Sequence, residues 1–378
     1  MVRRGHLLWM AAFVVLLATG AIYLWQGRWL VGLGSLGFAG LSFAWYVAPG
    51  RRLAFVFAAV ALLTIGTVAF VAGLDLYLHR RFARTGGYNV WGYRGDVAGR
   101  KAQGERRLAF LGGSVAFGYG VAVDETIPYY LQQNMRHQMP AGARTVRVIN
   151  LGWNSEGAHS FRYTLNDYAY LQNDAAVLYS GYNDLGDNNQ VFRHQSAVFR
   201  LTGYLPILPI IPLREWLHIG NLSDTSKGRI VFKPGLADQY ATEAADTALR
   251  ISQALEQQLG KLAPPDVSAL AGRQQGLDDW QYYLGAVKEA VTTARVQGMR
   301  AIVVTEPYIS ARHVRQQTAL ARMLEVEFGA DTRVAYINAG RTIDLHDRAL
   351  CYDGMHLTAA GNRTVADWLA PRLRSVLD

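Results

Sequence analysis

The stretch RLAFLGGSVAFGYGV, residues 107–121, opens on a short apolar run, passes through two glycines and reaches one serine, Ser114. So short a run, stopped by Gly112 and Gly113, reads as a buried strand ending in a tight turn, with a helix of small residues behind it. A serine in that turn projects beyond the strand end, where backbone N–H groups of the turn can face a negative oxygen. Taken alone, Gly-Gly-Ser after a strand is a turn or a helix cap more often than a nucleophile. Two other readings fail on the letters. A phosphate loop needs Gly-Lys-Ser/Thr and there is no lysine here, and the elbow Gly-x-Ser-x-Gly fails because residue 116 is alanine.

The same grammar recurs along the chain. VRVINLG (146–152), AAVLYSG (175–181), RAIVVTE (300–306) and RVAYINA (333–339) are short apolar runs. Helix-like stretches at 126–138, 158–172, 278–297 and 311–328 separate them. Alternation of this kind predicts an α/β fold, a doubly wound parallel sheet with helices on both faces. Sites in such sheets lie outside the carboxyl ends of the strands. Residues of about 190–275 break the rhythm. They hold a proline-punctuated apolar run, LTGYLPILPIIPLREWL, and read as an insertion, either a lid or acyl-chain surface or an extra packing layer.

Two further loops fall at predicted element ends. In CYDGMHLTAAGNR (351–363), Asp353 and His356 stand three apart ahead of a helix. That spacing lets the carboxylate accept from one imidazole nitrogen while the other takes a serine proton. In YSGYNDLGDNN (179–189), Asn183 offers a neutral amide, which stabilises developing negative charge without protonating it. Each piece alone has a bland reading as a cap or turn, and DLHD (344–347) keeps a metal alternative open. Three such pieces at the ends of separate elements point to acyl transfer through a serine.

The first eighty residues are of another kind. Leu7–Trp25, Trp29–Ala48 and Leu53–Leu74 are apolar stretches near the ~20 residues that cross a hydrocarbon core, and Trp9, Trp25, Trp29, Trp45 and Tyr46 lie near their ends. The basic start lacks a small-x-small cleavage site, so a three-helix anchor (1–78) is expected rather than a signal peptide. Gly32, Gly34, Gly37 and Gly40 give the second span a small-residue face. A basic juxtamembrane linker is expected over 79–105. The net charge of +9 is carried in part by arginines beside apolar segments, which fits anionic lipid headgroups and argues against nucleic acid. Charges on the two sides balance, so the positive-inside rule sets no orientation. Cys351 is the single cysteine, which rules out an intrachain disulfide and a thiolate zinc cluster.

These segments resemble the SGNH (GDSL-type) hydrolases. GGSVAFGYGV, GYNDL and YDGMHLTAAGN match the family's first, third and last blocks, and NVWGYRGD (89–96) looks like the lead-in of many bacterial members. The resemblance covers roughly 89–378 outside the insertion. It implies a three-layer, flavodoxin-like fold over 106–378, with Ser114 as nucleophile, His356 as general base and acid, and Asp353 as its orienting partner. The oxyanion donors it implies are Asn183 and the Ser114 N–H. The second block departs from Asn-x-Gly-x-x-Gly: NLGWNSEGAHS puts Ser155 where the family has glycine. A backbone donor survives that change, so the Ser155 N–H is expected to serve, with Gly152 and Gly157 as alternatives. Glu156 and His159 nearby are read as surface or packing residues.

The resemblance implies no metal or organic cofactor, and an acyl ester of carbohydrate or lipid as substrate. It also favours a multi-pass protein of the bacterial inner membrane with its catalytic domain in the periplasm. Two rivals carry weight: an O-acyltransferase using the same triad on a polysaccharide, and a non-catalytic, membrane-tethered glycan-binding or assembly protein.

Overall fold

A computed structural model of the chain describes residues 13–21, 29–47, 52–83, 87–137, 145–208, 222–224, 229–232 and 280–377. They fall into two compact units, one ending at Leu78 and rejoined by Leu208, the other beginning at His79.

In the first unit residues 13–21 are helical, followed by α1 (Trp29–Val47) and most of α2 (Arg52–Phe82). A Cβ on Gly37 or Gly40 would lie 3.8 or 3.9 Å from Leu63 Cδ1, so these two glycines of α1 are turned to α2, while one on Gly34 would meet nothing within 4 Å. Among the described residues one helical segment, Val56–Phe82, is long and apolar enough to cross a membrane, with mean hydropathy 2.3. Phe57, Leu62, Ile65 and Val68 on it are exposed. One helix therefore meets that standard where three were expected. The other two expected spans fall partly on residues outside the description. The third runs on past Leu74, because nothing from Asp75 to Phe82 breaks a helix.

The second unit is a five-stranded parallel sheet of β1 (Arg106–Gly112), β2 (Val146–Asn150), β3 (Ala175–Ser180), β6 (Arg300–Thr305) and β7 (Val334–Ile337). Its order is β2-β1-β3-β6-β7. β4 (Leu222–Asp224) and β5 (Arg229–Phe232) form a separate antiparallel pair. Alternate side chains of β1 serve opposite faces. Leu108 and Phe110 join one fully buried cluster with Leu131 of α4 (Ile127–His137) and Leu369 and Leu373 of α10 (Ala359–Leu377). Ala109 and Leu111 face the other layer, where α5 (Phe161–Asp167) packs on α8 (Gln281–Val296). Between α5 and α8 lie the short α6 (Phe192–Gln195) and α7 (Ala197–Thr202), and α9 (Ala311–Phe328) precedes β7. The order reverses between β1 and β3, and in such sheets sites lie outside the carboxyl ends of the strands at that point.

The stretch read as a linker is built into this unit. Tyr88 stacks on Trp153 with ring centroids 4.1 Å apart, and Arg94 pairs with Asn150 at the end of β2. Of the insertion, residues up to 208 are described and its start is packed: Arg193, Phe199, Leu205 and Ile207 are buried. Apart from β4 and β5, the rest of it, and with it the lid reading, lies outside the described residues.

Candidate active site

β1 leads to Ser114 through two glycines that admit no side chain. A Cβ on Gly112 would collide with the Tyr179 carbonyl, and one on Gly113 would overlap the Asn183 amide nitrogen. Ser114 then begins α3 (Ser114–Phe117), a single turn closed by Gly118 in the left-handed region at φ 84°. The Gly118 N–H donates to Ser114 O at 2.9 Å and to Val115 O at 3.1 Å.

From the other end of the chain comes the loop 351–357, closed at its base by the bridge between Cys351 and Leu357. Asp353 Oδ1 accepts the N–H of Met355 (3.0 Å) and of His356 (2.6 Å), which folds the loop around the carboxylate. Its Oδ2 lies 2.5 Å from His356 Nδ1, and His356 Nε2 lies 2.8 Å from Ser114 Oγ. A carboxylate only accepts, so Nδ1 carries the proton and Nε2 is free to accept from the serine. Burial pushes the Asp353 carboxyl up, but the imidazole and the two backbone donors outweigh it and hold the group below its usual range. The imidazole is walled by Tyr352, stacked at 5.9 Å, and Tyr119, at 5.0 Å.

Asn183 follows β3, the neighbour of β1. Gly181, at φ 151°, makes the bend that only glycine adopts. Asn183 Nδ2 donates one proton to Glu156 O at 2.9 Å, which leaves the second for another acceptor. Ser155 sits at φ 65°, one of two non-glycine residues in the left-handed region among the described residues. A serine held there at a cost of about 1 kcal/mol or more indicates a backbone shape that the site imposes. The Gly152 N–H is committed to Asn150 Oδ1 at 3.0 Å, and Gly157 is pressed against the Asp184 carboxylate. Of the three candidates, Ser155 is the one whose backbone lies in the left-handed region.

Glu156 is buried rather than on the surface. Its Oε1 accepts from the Phe192 N–H at 2.7 Å, Arg193 lies 3.9 Å away, and burial raises its carboxyl above the usual value. His159 is a packing residue, its ring stacked on Tyr282. DLHD forms no metal cluster among the described residues; Asp344 and Asp347 accept from the backbone of their own turns.

Sequence reasoning missed the polar groups behind the Asn183 loop. Asp184 Oδ1 accepts from the Ala158 N–H (2.8 Å) and so joins this loop to the one that carries Ser155; burial pushes its carboxyl up to about 7. Glu306 accepts from the Tyr182 N–H (2.7 Å), and burial pushes it up to about 8. His313 is fully buried between Tyr182 and Tyr308 and is pushed down to about 4. Only the acid after Asn183 in the turn could have signalled any of these.

No protein-family model matches the chain, and none of the curated proteins does. Among solved structures, it is similar to a G-D-S-L family lipolytic protein described as putative, from Desulfitobacterium hafniense. The identity is 11%, over 70% of this chain and 98% of that one, with a TM-score of 0.37. A family 3 carbohydrate esterase from Clostridium thermocellum gives 12%, 72%, 100% and 0.38 for the same measures. A family two carbohydrate esterase from the same organism, solved with cellohexaose, gives 11%, 75%, 67% and 0.40.

Proposed function

We propose that this protein is a membrane-anchored serine esterase of the SGNH type. The observation that carries the reading is the unbroken chain Ser114 Oγ, His356 Nε2, His356 Nδ1, Asp353 Oδ2, at 2.8 and 2.5 Å, beside an amide with an unused proton. In the reaction Ser114 Oγ attacks an ester carbonyl while His356 Nε2 takes its proton. The carbonyl oxygen becomes an oxyanion held by Asn183 Nδ2 and the N–H groups of Ser114 and Ser155. His356 returns the proton to the leaving alcohol, giving an acyl-serine. Water, deprotonated by the same imidazole, releases the acid and restores the serine. Asp353 keeps Nδ1 protonated and stabilises the imidazolium that forms twice per cycle.

The substrate is an acyl ester of a glycan or lipid near the membrane. The anchor has three spans with a cytoplasmic N-terminus, which places this unit in the periplasm of the bacterial inner membrane. The apolar helix Val56–Phe82 supports an anchor, and the triad supports chemistry over a purely binding role. A sugar hydroxyl in place of water would make the same acyl-serine a transferase intermediate.

Detergent-solubilised protein is expected to react with a fluorophosphonate probe and to hydrolyse p-nitrophenyl acetate. Ser114→Ala removes both activities, and His356→Ala slows them by at least about 10³-fold. Wild-type protein that neither labels nor turns over would overturn the reading. Adding glycan acceptors to the acetate assay separates hydrolysis from transfer.

A further inference from the structure

The lead-in NVWGYRGD (89–96) takes no part in the bond chemistry, yet Arg94 within it is only 3% exposed. Its guanidinium reaches the segment directly behind the nucleophile. Nη1 donates to Phe117 O and to Gly118 O, both at 2.6 Å, and Nη2 donates to Val121 O. The guanidinium carbon also lies 4.3 Å from the centre of the Phe117 ring. Phe117 O is a carbonyl that the one-turn helix leaves without a helical partner, while Gly118 O also accepts from the Val121 N–H at 3.3 Å. Asn150 Nδ2 adds a donor to Phe117 O at 3.2 Å, and the Arg94 N–H donates to Asn150 O at 3.0 Å, so arginine and asparagine brace one another.

The far side of the same segment touches the general base. The Tyr352 hydroxyl donates to Tyr119 O at 2.6 Å, Tyr352 stacks on the His356 ring, and the Tyr119 ring flanks it. A Cβ on Gly120 would overlap the Tyr352 hydroxyl, so loop and wall are in direct contact. Residues 117–121 are thus fixed by Arg94 on one side and form the wall of His356 on the other, while Ser114 begins the turn that they end.

We propose that Arg94 is a positioning residue for the reaction: through the carbonyls of 117–121 it sets the alignment of Ser114 Oγ with His356. The inference rests on the esterase reading. The guanidinium reaches these carbonyls from two separate nitrogens held in a rigid planar fork, whereas an ammonium presents its three donors from a single point. Misplacing a reacting group by about 1 Å can cost about 100-fold in rate.

The test uses the full chain in detergent, with active sites counted by fluorophosphonate titration and turnover expressed per titrated site. Arg94→Met is expected to lower kcat per site at least ~10-fold with KM within about twofold, and to slow labelling in parallel. Arg94→Lys, which keeps the charge but gathers its donors on one nitrogen, should lie between wild type and Arg94→Met. Leu373→Ala, in the α10 core, lowers stability alone and should keep wild-type turnover per site. If Arg94→Met yields no folded protein, Arg94→Lys replaces it, with kcat per site expected to fall at unchanged KM. Full turnover per site in Arg94→Met, or in Arg94→Lys where that variant replaces it, would overturn the role of Arg94 and leave the esterase reading standing. Inactive wild-type protein overturns the esterase reading instead.

Discussion

Two histidines lie near the carboxyl ends of this sheet, and their surroundings are opposite. His356 is half-buried, and each ring nitrogen has a partner, Asp353 on one side and Ser114 on the other. His313 is fully buried among aromatic rings, and neither ring nitrogen has a hydrogen-bond partner among the described residues. The carboxylates divide likewise. Asp353 collects donors and is held below its usual range, whereas Glu306, with one backbone donor and full burial, is pushed up to about 8. Burial sets the protonation state wherever donors are few, and donors set it where they are many. In the partnered set donors and acceptors face one another; the buried set packs against Tyr182, in the loop that carries Asn183.

The comparison can be broken most forcefully at Asp353. Asp353→Asn removes the acceptor that keeps Nδ1 protonated, and kcat in the acetate assay is expected to fall on the order of 10⁴-fold with the fold intact by circular dichroism. A loss below tenfold would mean that the partnered set does not work as a unit.

The buried set predicts stability rather than rate. The folded value of Glu306 lies above its ordinary 4.5, so the stability tied to it is complete below that pH and drains away as pH rises toward 8. Glu306→Gln keeps an acceptor for the Tyr182 N–H and cannot ionise. Thermal unfolding should show it more stable than wild type at pH 8, by on the order of a few kcal/mol, and little changed at pH 5. His313 has the reverse sign: its folded value lies below 6.5, so its share is present above that pH and lost as pH falls toward 4. An unchanged pH dependence in Glu306→Gln would place the cause of the alkaline loss elsewhere.

The smallest expected effect is at Ser155. Ser155→Gly relieves about 1 kcal/mol of left-handed strain but frees the unfolded chain by a similar amount. Unfolding should move by less than about 1 kcal/mol and kcat by less than about twofold. A large fall in kcat would show that the serine side chain, and not its N–H, serves the reaction.

Where the chain advertises local periodicity, the sequence reading holds to within a residue or two. RLAFLG became β1 at Arg106–Gly112, AAVLYSG became β3 at Ala175–Ser180, and α9 is Ala311–Phe328 as expected. The stretch 158–172, expected as one helix, is broken into α5 and two 3₁₀ turns, and the bend around Tyr168 is backed by Arg193 from 25 residues away. Ser114, Asn183 and the Asp353/His356 pair were legible because turn chemistry and spacing mark them. Arg94, Glu306 and His313 were not. Their meaning comes from partners far along the chain, as with the Tyr182 N–H that Glu306 reaches across 124 residues. A buried charge looks like any other charge in a string of letters.

Gly113 carries a consequence for how sequences of this kind can drift. Its α-carbon stands so close to the Asn183 amide that a single methyl group would displace the donor. Glycine and alanine codons differ by one base, so the most modest mutation open to this codon would strike the centre of the site. In any set of related chains, the letter at this position separates those in which the Asn183 amide could keep this place from those in which it could not.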